Sequence, residues 1–297
     1  MELRVLEYFL AVAREQNITA AAESLHISQP ALSTQLKNME DELGKQLLIR
    51  GVKGSRKVIL TEEGMILRKR AEEIISLVKR TENEITQSDE TITGNVFIGT
   101  GETEIVRLFA MVAKKLQKKY PDIQYHISSG NAEHVLEYLD KGLIDFGLLF
   151  TEIDSQKYEA IPVPIKDAWG VLMRKDSPLA EKETICPEDL WDKPLIVSHQ
   201  KGDNLYLGRW LQREESELHI VATYNLLFNA SLLVDEGLGY ALCYDKLINT
   251  QGSNLCFRLL SPQLEALGFI VWKKYQVFSK AANIFLQCLR ELLETEL

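Results

Sequence analysis

What this 297-residue chain lacks narrows it before anything it contains. Its four cysteines, Cys186, Cys243, Cys256 and Cys288, stand far apart, with no CxxC pair and no His-rich neighbourhood. Neither a disulfide framework nor a zinc site is expected, and the thiols read as small core residues. No apolar run approaches the roughly 18 residues of a membrane span. The opening MELRVLEYFLAVARE carries Glu2, Arg4 and Glu7 where a secretory leader would be apolar, so a cytoplasmic protein with no membrane partner is expected. Nucleophile-elbow, phosphate-loop, dinucleotide-binding and metal-ligand motifs are missing too, which argues against an enzyme and against a resident metal or cofactor. Positive charge is short in bulk, with 34 Lys and Arg against 43 Asp and Glu for a net −9.

Averages conceal a local exception. From Gly44 to Thr61 there are five basic residues, Lys45, Arg50, Lys53, Arg56 and Lys57, and no acid. Such a stretch is either a phosphate-contacting element or a solvated basic loop. Just upstream, Leu3, Leu6, Phe9, Leu10 and Ala13 fall on one helical face. Asn17-Ile18-Thr19 breaks that pattern, with Thr19 expected to cap a short second helix whose Ala20, Ala21 and Ala22 keep one side thin. After His26-Ile27, Ser28 caps a third helix that tolerates Pro30 in its first turn and stops at Gly44. Two short helices joined by so tight a turn suggest a helix-turn-helix. Residues 45–50 and 57–60 then bracket a glycine-containing hairpin tip, a wing.

Thr61, Glu62 and Glu63 open a long helix expected over 61–89, about 43 Å long. Leu67, Ala71, Ile74, Val78, Thr81 and Ile85 repeat along it at heptad spacing. So long and narrow an element does not bury its seam alone, and pairing with a second subunit is preferred over packing on its own body. From Gly94 the texture changes to short apolar runs alternating with amphipathic segments. Strands are expected at 96–98, 123–127, 146–150, 169–173, 195–197, 240–243 and 269–272, with helices around 203–215, 226–236 and 279–294. That alternation indicates an α/β architecture with mostly parallel sheets.

Ala20-Ala21-Ala22, Leu25, Ser28-Gln29-Pro30-Ala31-Leu32-Ser33, Gln35-Leu36, Glu40, Leu43-Gly44, Leu47, Arg50, Leu60-Thr61 and Gly64 together resemble the DNA-binding signature of LysR-type transcription regulators. Lys119-Tyr120-Pro121, Gly142-Leu143-Ile144-Asp145, Ser177-Pro178-Leu179, Lys193-Pro194-Leu195-Ile196 and Glu236-Gly237-Leu238-Gly239 look like landmarks of that family's effector domain, so the resemblance runs the length of the chain. Leu48 stands where the family usually has Phe, and the wing is longer than usual.

The resemblance implies a winged helix-turn-helix over 1–60, a linker dimerisation helix over 61–91 and an effector-binding domain over 92–297. That last domain would be two-lobed, α/β and similar to periplasmic binding proteins, with lobe I at 92–163 and 268–297 and lobe II at 164–267. It further implies a double-stranded DNA operator, a small-molecule effector, a homodimer through the linker that assembles to a homotetramer, and RNA polymerase as partner of an activator. The helix from Ser28 would enter the major groove, with Gln29, Ser33 and Thr34 at base edges beside Pro30, and with Lys37 on phosphate or guanine. Arg50, Lys53, Arg56 and Lys57 would grip the flanking backbone or minor groove. Ser28 and Gln29 equally suit helix capping.

In the effector domain the chain should cross between lobes near 162–166 and 264–269. Strand ends and helix N-termini then offer Thr100, Gly101, Glu102 and Thr103, Ser129, and from the facing lobe Ser198 and His199. These hydroxyls could instead only cap helices, and His199 could be a plain hydrogen-bonded surface residue. Glu102 would repel an acidic effector unless it points away, which leaves a neutral or cationic ligand open.

Overall fold

The computed structural model describes residues 1–51, 57–86, 92–199 and 207–295, and the chain divides into the units Met1–Gln87 and Ser88–Leu297. In the first, apolar residues at helical spacing form α1 (Leu3–Glu15), which buries Val5, Leu6, Phe9 and Val12 in one core with Ala21, Ala22, Leu32, Leu36 and Met39. Those partners come from α2 (Ile18–Ser24) and α3 (Gln29–Leu43). The cap of α2 differs from expectation. Asn17, in extended backbone, accepts the amides of Thr19 (2.9 Å) and Ala20 (3.3 Å) on Oδ1. Thr19 lies inside the first turn, where its own N–H is one of the donors to be satisfied. Ser28 does cap α3, its Oγ accepting from the Ala31 amide at 3.3 Å, and Gly44 ends that helix at φ +64°.

Glu40 anchors the start of the wing. Its carboxylate, only 9% exposed, accepts from the amides of Leu47 (2.8 Å) and Leu48 (3.0 Å) and from Arg50 Nη2 (3.0 Å). The chain is thereby pinned to α3 just as it enters the hairpin of β1 (Leu48–Arg50) and β2 (Val58–Leu60), antiparallel with Arg50 opposite Val58. Leu48 is fully buried, an adequate apolar substitute for the larger ring. Lys53 and Arg56 fall among residues 52–56, outside the described residues.

Thr61 donates its hydroxyl to the Gln46 carbonyl (2.8 Å) and accepts from the Gly64 amide (3.0 Å), starting α4 (Glu62–Thr86). Residues 87–89 of the expected helix lie outside the described residues. The seam divides between two uses. Leu67 and Ala71, joined by Ile75, pack into this unit's own core. Ile74, Leu77 and Ile85 remain exposed, as does Ile66, so an apolar stripe lies rotated around the helix from the buried one.

The second unit opens with parallel strands in the order β4-β3-β5, β3 being Gly94–Thr100, β4 Ile123–Ser129 and β5 Phe146–Leu149. The helices α5 (Val106–Gln117) and α6 (Ala132–Asp140) lie between them in the chain. The seventeen-residue β6 (Tyr158–Arg174) comes next. Its first part runs antiparallel to β12 (Glu265–Lys273), with Asp167 opposite Ala266. Its last part pairs antiparallel with β10 (Tyr240–Tyr244) and β11 (Leu255–Leu260).

Beyond β10 lie β8 (Leu195–Ser198) and β9 (Ile220–Tyr224) in parallel, while the short β7 (Thr184–Ile185) pairs with β11. α7 (Leu227–Asp235) covers β10, and α8 (Lys280–Thr295) returns to pack on α5 and β3. The result is an α/β unit of two lobes, one with a core around Phe109, Phe146 and Phe285, the other around Trp169, Leu195 and Leu242.

Three strands fall outside the expected set, β7, β9 and β11. β9 is an edge strand of half-buried residues, and β11 contains Arg258, whose guanidinium donates to the carbonyls of Ala180 and Lys182 at 2.7 Å each. The helix expected around 203–215 is helical over 207–211 and ends where Gln212 turns to φ +54°, while residues 203–206 lie outside the described residues. Among the described residues no helix is long and apolar enough to cross a membrane.

Gly64 supplies a test of the first unit's packing. A Cβ there would stand 2.2 Å from the Leu47 carbonyl oxygen, a backbone atom that cannot swing aside. Gly64→Ala should destabilise the unit by about 2 kcal/mol or more, read from its urea-unfolding midpoint in the full chain. An unchanged midpoint would contradict the close approach of α4 to Leu47.

Candidate functional site

Two regions gather the residues singled out from the sequence. On the Met1–Gln87 unit, Ser28, Gln29, Pro30, Thr34 and Lys37 are exposed along the first turns of α3, and Ser33 is half-buried among them. Gln29 Nε2 donates to Ser33 Oγ (3.1 Å), and the Thr34 hydroxyl donates to the Pro30 carbonyl (2.9 Å). These polar groups bond to their own helix, and a base edge would have to replace those bonds. Arg50, on β1, is shared with Glu40, so part of its charge steadies the wing rather than reaching outward. Lys57 is exposed at the foot of β2, where its carbonyl accepts the Gly51 amide at 3.1 Å.

The second region is a cavity of about 450 Å³ between the lobes of the Ser88–Leu297 unit. Of the seven residues expected there, Gly101, Glu102 and His199 line it. Thr100, Thr103, Ser129 and Ser198 do not. Thr100 is buried with its hydroxyl donating to the Gly101 carbonyl (2.9 Å), Ser198 is buried at the end of β8, and Ser129 faces solvent beside Thr100. The lining also includes Asn131, Glu133, Phe150, Thr151 and Tyr244. Phe150 and Thr151 directly follow β5, and Tyr244 ends β10. Extending the strand-end argument from β3, β4 and β8 to those two strands would have found them.

The loop after β3 ties the lobes together. Glu102 Oε2 accepts the amide of Leu227, the first residue of α7 in the facing lobe. Leu226, at the N-cap of α7, makes no side-chain cap, so a carboxylate from the other lobe does that work, with its charge at the positive end of the helix. Next along, the Thr103 hydroxyl donates to Asp167 Oδ2 on β6 and accepts from the Ile105 amide (3.0 Å).

Asp167 is 4% exposed. Burial pushes its carboxyl above the usual range; the Thr103 bond and Lys246 pull the other way, while Glu104 and Asp245 add to the rise. Among the described residues no group of three or more His, Cys, Asp or Glu is placed to hold a metal ion.

Because the Asp167 carboxyl is raised on folding, the native state favours its protonated form. Its contribution to stability is full below the ordinary carboxylate range and is lost as pH climbs through the raised value. Asp167→Asn, which keeps an acceptor for Thr103, should therefore gain in melting temperature relative to the parent between pH 4 and pH 7. Scanning calorimetry of the two proteins checks this, and an equal difference at both pH values would contradict it.

Comparison with known proteins agrees with this geometry. Residues 3–65 match the family model described as the bacterial regulatory helix-turn-helix protein of the lysR family, and residues 89–294 match the LysR substrate binding domain. The chain is 30% identical over 197 residues to a hydrogen peroxide-inducible genes activator of Pectobacterium carotovorum, covering 66% of this chain but only 64% of that protein. It is 29% identical to the Hca operon transcriptional activator HcaR of Escherichia coli K12, over 99% of this chain and 98% of that one.

Among solved structures, CbnR, a LysR family transcriptional regulator, superposes with a TM-score of 0.78 at 19% identity, over 99% of each chain. Full-length CbnR complexed with its target DNA superposes at 0.76, also at 19% identity, over 98% of this chain and 99% of that one. At that identity these two define the fold alone. With a family model spanning most of its length, the chain belongs to the LysR family of bacterial transcription regulators.

Proposed function

We propose that this protein is a DNA-binding transcription regulator, working in the cytoplasm, whose activity is set by a small molecule in the cavity between the lobes of its second unit. The observation that carries the DNA-binding half is the exposed head of α3, Ser28 to Lys37, in a unit that also carries a wing. A helix presented this way offers its first turns to base edges, while Arg50, Lys53, Arg56 and Lys57 supply phosphate contacts without sequence information. The solved complex of CbnR with its target DNA has the same fold, which supports the reading. The Pectobacterium protein and HcaR are activators by name, and for an activator RNA polymerase is the further partner.

Ile66, Ile74, Leu77 and Ile85 leave α4 with an exposed apolar stripe suited to a second copy of the chain, in a homodimer that can build to a tetramer. No enzymatic step is assigned. The peroxide response in some relatives' names does not carry over readily. None of the four cysteines is in a disulfide, Cys243, Cys256 and Cys288 are buried, and burial pushes the Cys243 and Cys256 thiols up, away from the reactive thiolate.

Selection of the full chain against random duplexes tests the reading. A two-fold related site should be enriched. On that site Gln29→Ala should cost about 1–3 kcal/mol of discrimination at one base position while leaving non-specific affinity intact. A Lys53/Arg56/Lys57 triple alanine should weaken binding to every duplex and reduce the slope of log affinity against log salt by roughly 3. Failure to enrich any duplex would sink the proposal, and an unchanged salt slope would remove the wing from it.

A further inference from the structure

The cavity between the lobes is furnished for positive charge. Its volume of about 450 Å³ falls within the roughly 300–1,000 Å³ common for small-molecule sites. Glu102 and Glu133 line it from one lobe, and among its described lining residues there is no lysine or arginine. A helix N-terminus draws anions, but that of α7 is taken by Glu102 Oε2 through the Leu227 amide, and that of α6, at the cavity wall, carries the acidic Glu133 in its own first turn. Glu102 Oε1 has no partner among the described residues.

His199, from the other lobe, adds an acceptor. Its Nδ1 lies 2.9 Å from the Tyr224 carbonyl, and because a carbonyl only accepts, Nδ1 carries the hydrogen. That tautomer leaves Nε2 as an acceptor with no partner among the described residues. Phe150 and Tyr244 complete the wall, their ring centroids 5.4 Å apart, and aromatic faces attract cations. Two carboxylates, an imidazole acceptor and a pair of π-faces suit a group that is positively charged and rich in N–H donors.

We propose, taking the cavity as the effector site, that the effector is a small organic cation, a protonated amine or guanidine, held between Glu102, Glu133 and the Phe150–Tyr244 wall. Glu102 acts twice in this arrangement. One oxygen caps α7 and keeps the facing lobe in place, and the other is presented to the ligand. An acidic effector would meet a carboxylate where the helix N-terminus would otherwise have received it. The ligand's charge therefore decides binding more than its shape does.

Three probes that share a phenylethyl group and differ in charge separate the alternatives: 2-phenylethylammonium, neutral 3-phenylpropanamide and anionic 3-phenylpropanoate, each titrated calorimetrically into the full chain. The ammonium should bind at least tenfold more tightly than the other two. Glu102→Gln keeps an acceptor for the Leu227 amide but removes the charge, and should weaken the ammonium at least tenfold. Should Glu102→Gln not fold, Glu133→Gln, at the exposed head of α6, should produce a loss of a few-fold in the same titration.

Phe150→Ala is the control for location and should abolish binding of whichever probe occupies the cavity. Tighter binding of the propanoate or propanamide, abolished by Phe150→Ala, would overturn the cationic class while leaving the cavity as the site. Binding indifferent to Phe150→Ala would overturn the cavity itself. No binding by any of the three would overturn the cationic proposal.

Discussion

Two strands belong to both halves of the Ser88–Leu297 unit, and its remaining features depend on that sharing. β6 pairs with β12 along its first part and with β10 and β11 along its last, so one continuous backbone ladder passes from lobe to lobe. Backbone hydrogen bonds resist stretching, but a pair of strands bends and twists at modest cost, so such a crossing joins two bodies and still lets them rock. It also decides where a ligand can lie. The parallel strands β3, β5 and β10 all end toward the seam between the lobes, and Gly101, Phe150 and Tyr244 follow or close those strands at the cavity wall.

The loop after β3 supplies the second link. Glu102 reaches α7 in one direction and Thr103 reaches Asp167 on β6 in the other. Neighbouring residues thus hold both the facing lobe and the shared strand. A carboxylate used as a helix cap across a cleft is stabilising only while the lobes are close, since the interaction with the helix end fades within a turn. The cleft's geometry and its charge are consequently the same variable. Whatever alters the field at Glu102 alters how firmly the lobes are held.

Much of this was readable from the residues, for identifiable reasons. α1, α3 and the wing were legible because apolar spacing, Ser28 and Gly44 all indicate the same boundaries. The cap of α2 falls on Asn17, two residues before the expected Thr19, because both are good capping types and backbone conformation chooses between them. The division of the α4 seam was hidden because a heptad pattern does not say which subset faces its own core; Ala71 and Ile75 do, and Ile74 does not. In the cavity, Glu102 was recognised as a problem for an acid, but its partner Leu227 lies 125 residues away and leaves no local trace. The hydroxyls of Thr100 and Thr103 suit a ligand or a helix cap equally in the sequence, and in the structure they donate to the Gly101 carbonyl and to Asp167.

The central claim is that a carboxylate from one lobe holds the head of α7 in the other, beside the cavity. Amide hydrogen exchange at that head measures it directly. The first amides of a helix have no partner within the helix and exchange quickly when left to water. The Leu227 amide should exchange far more slowly than that of Phe228 in the same turn, and the difference should vanish in Glu102→Ala. Equal, rapid exchange at Leu227 and Phe228 in the unaltered protein would contradict the account.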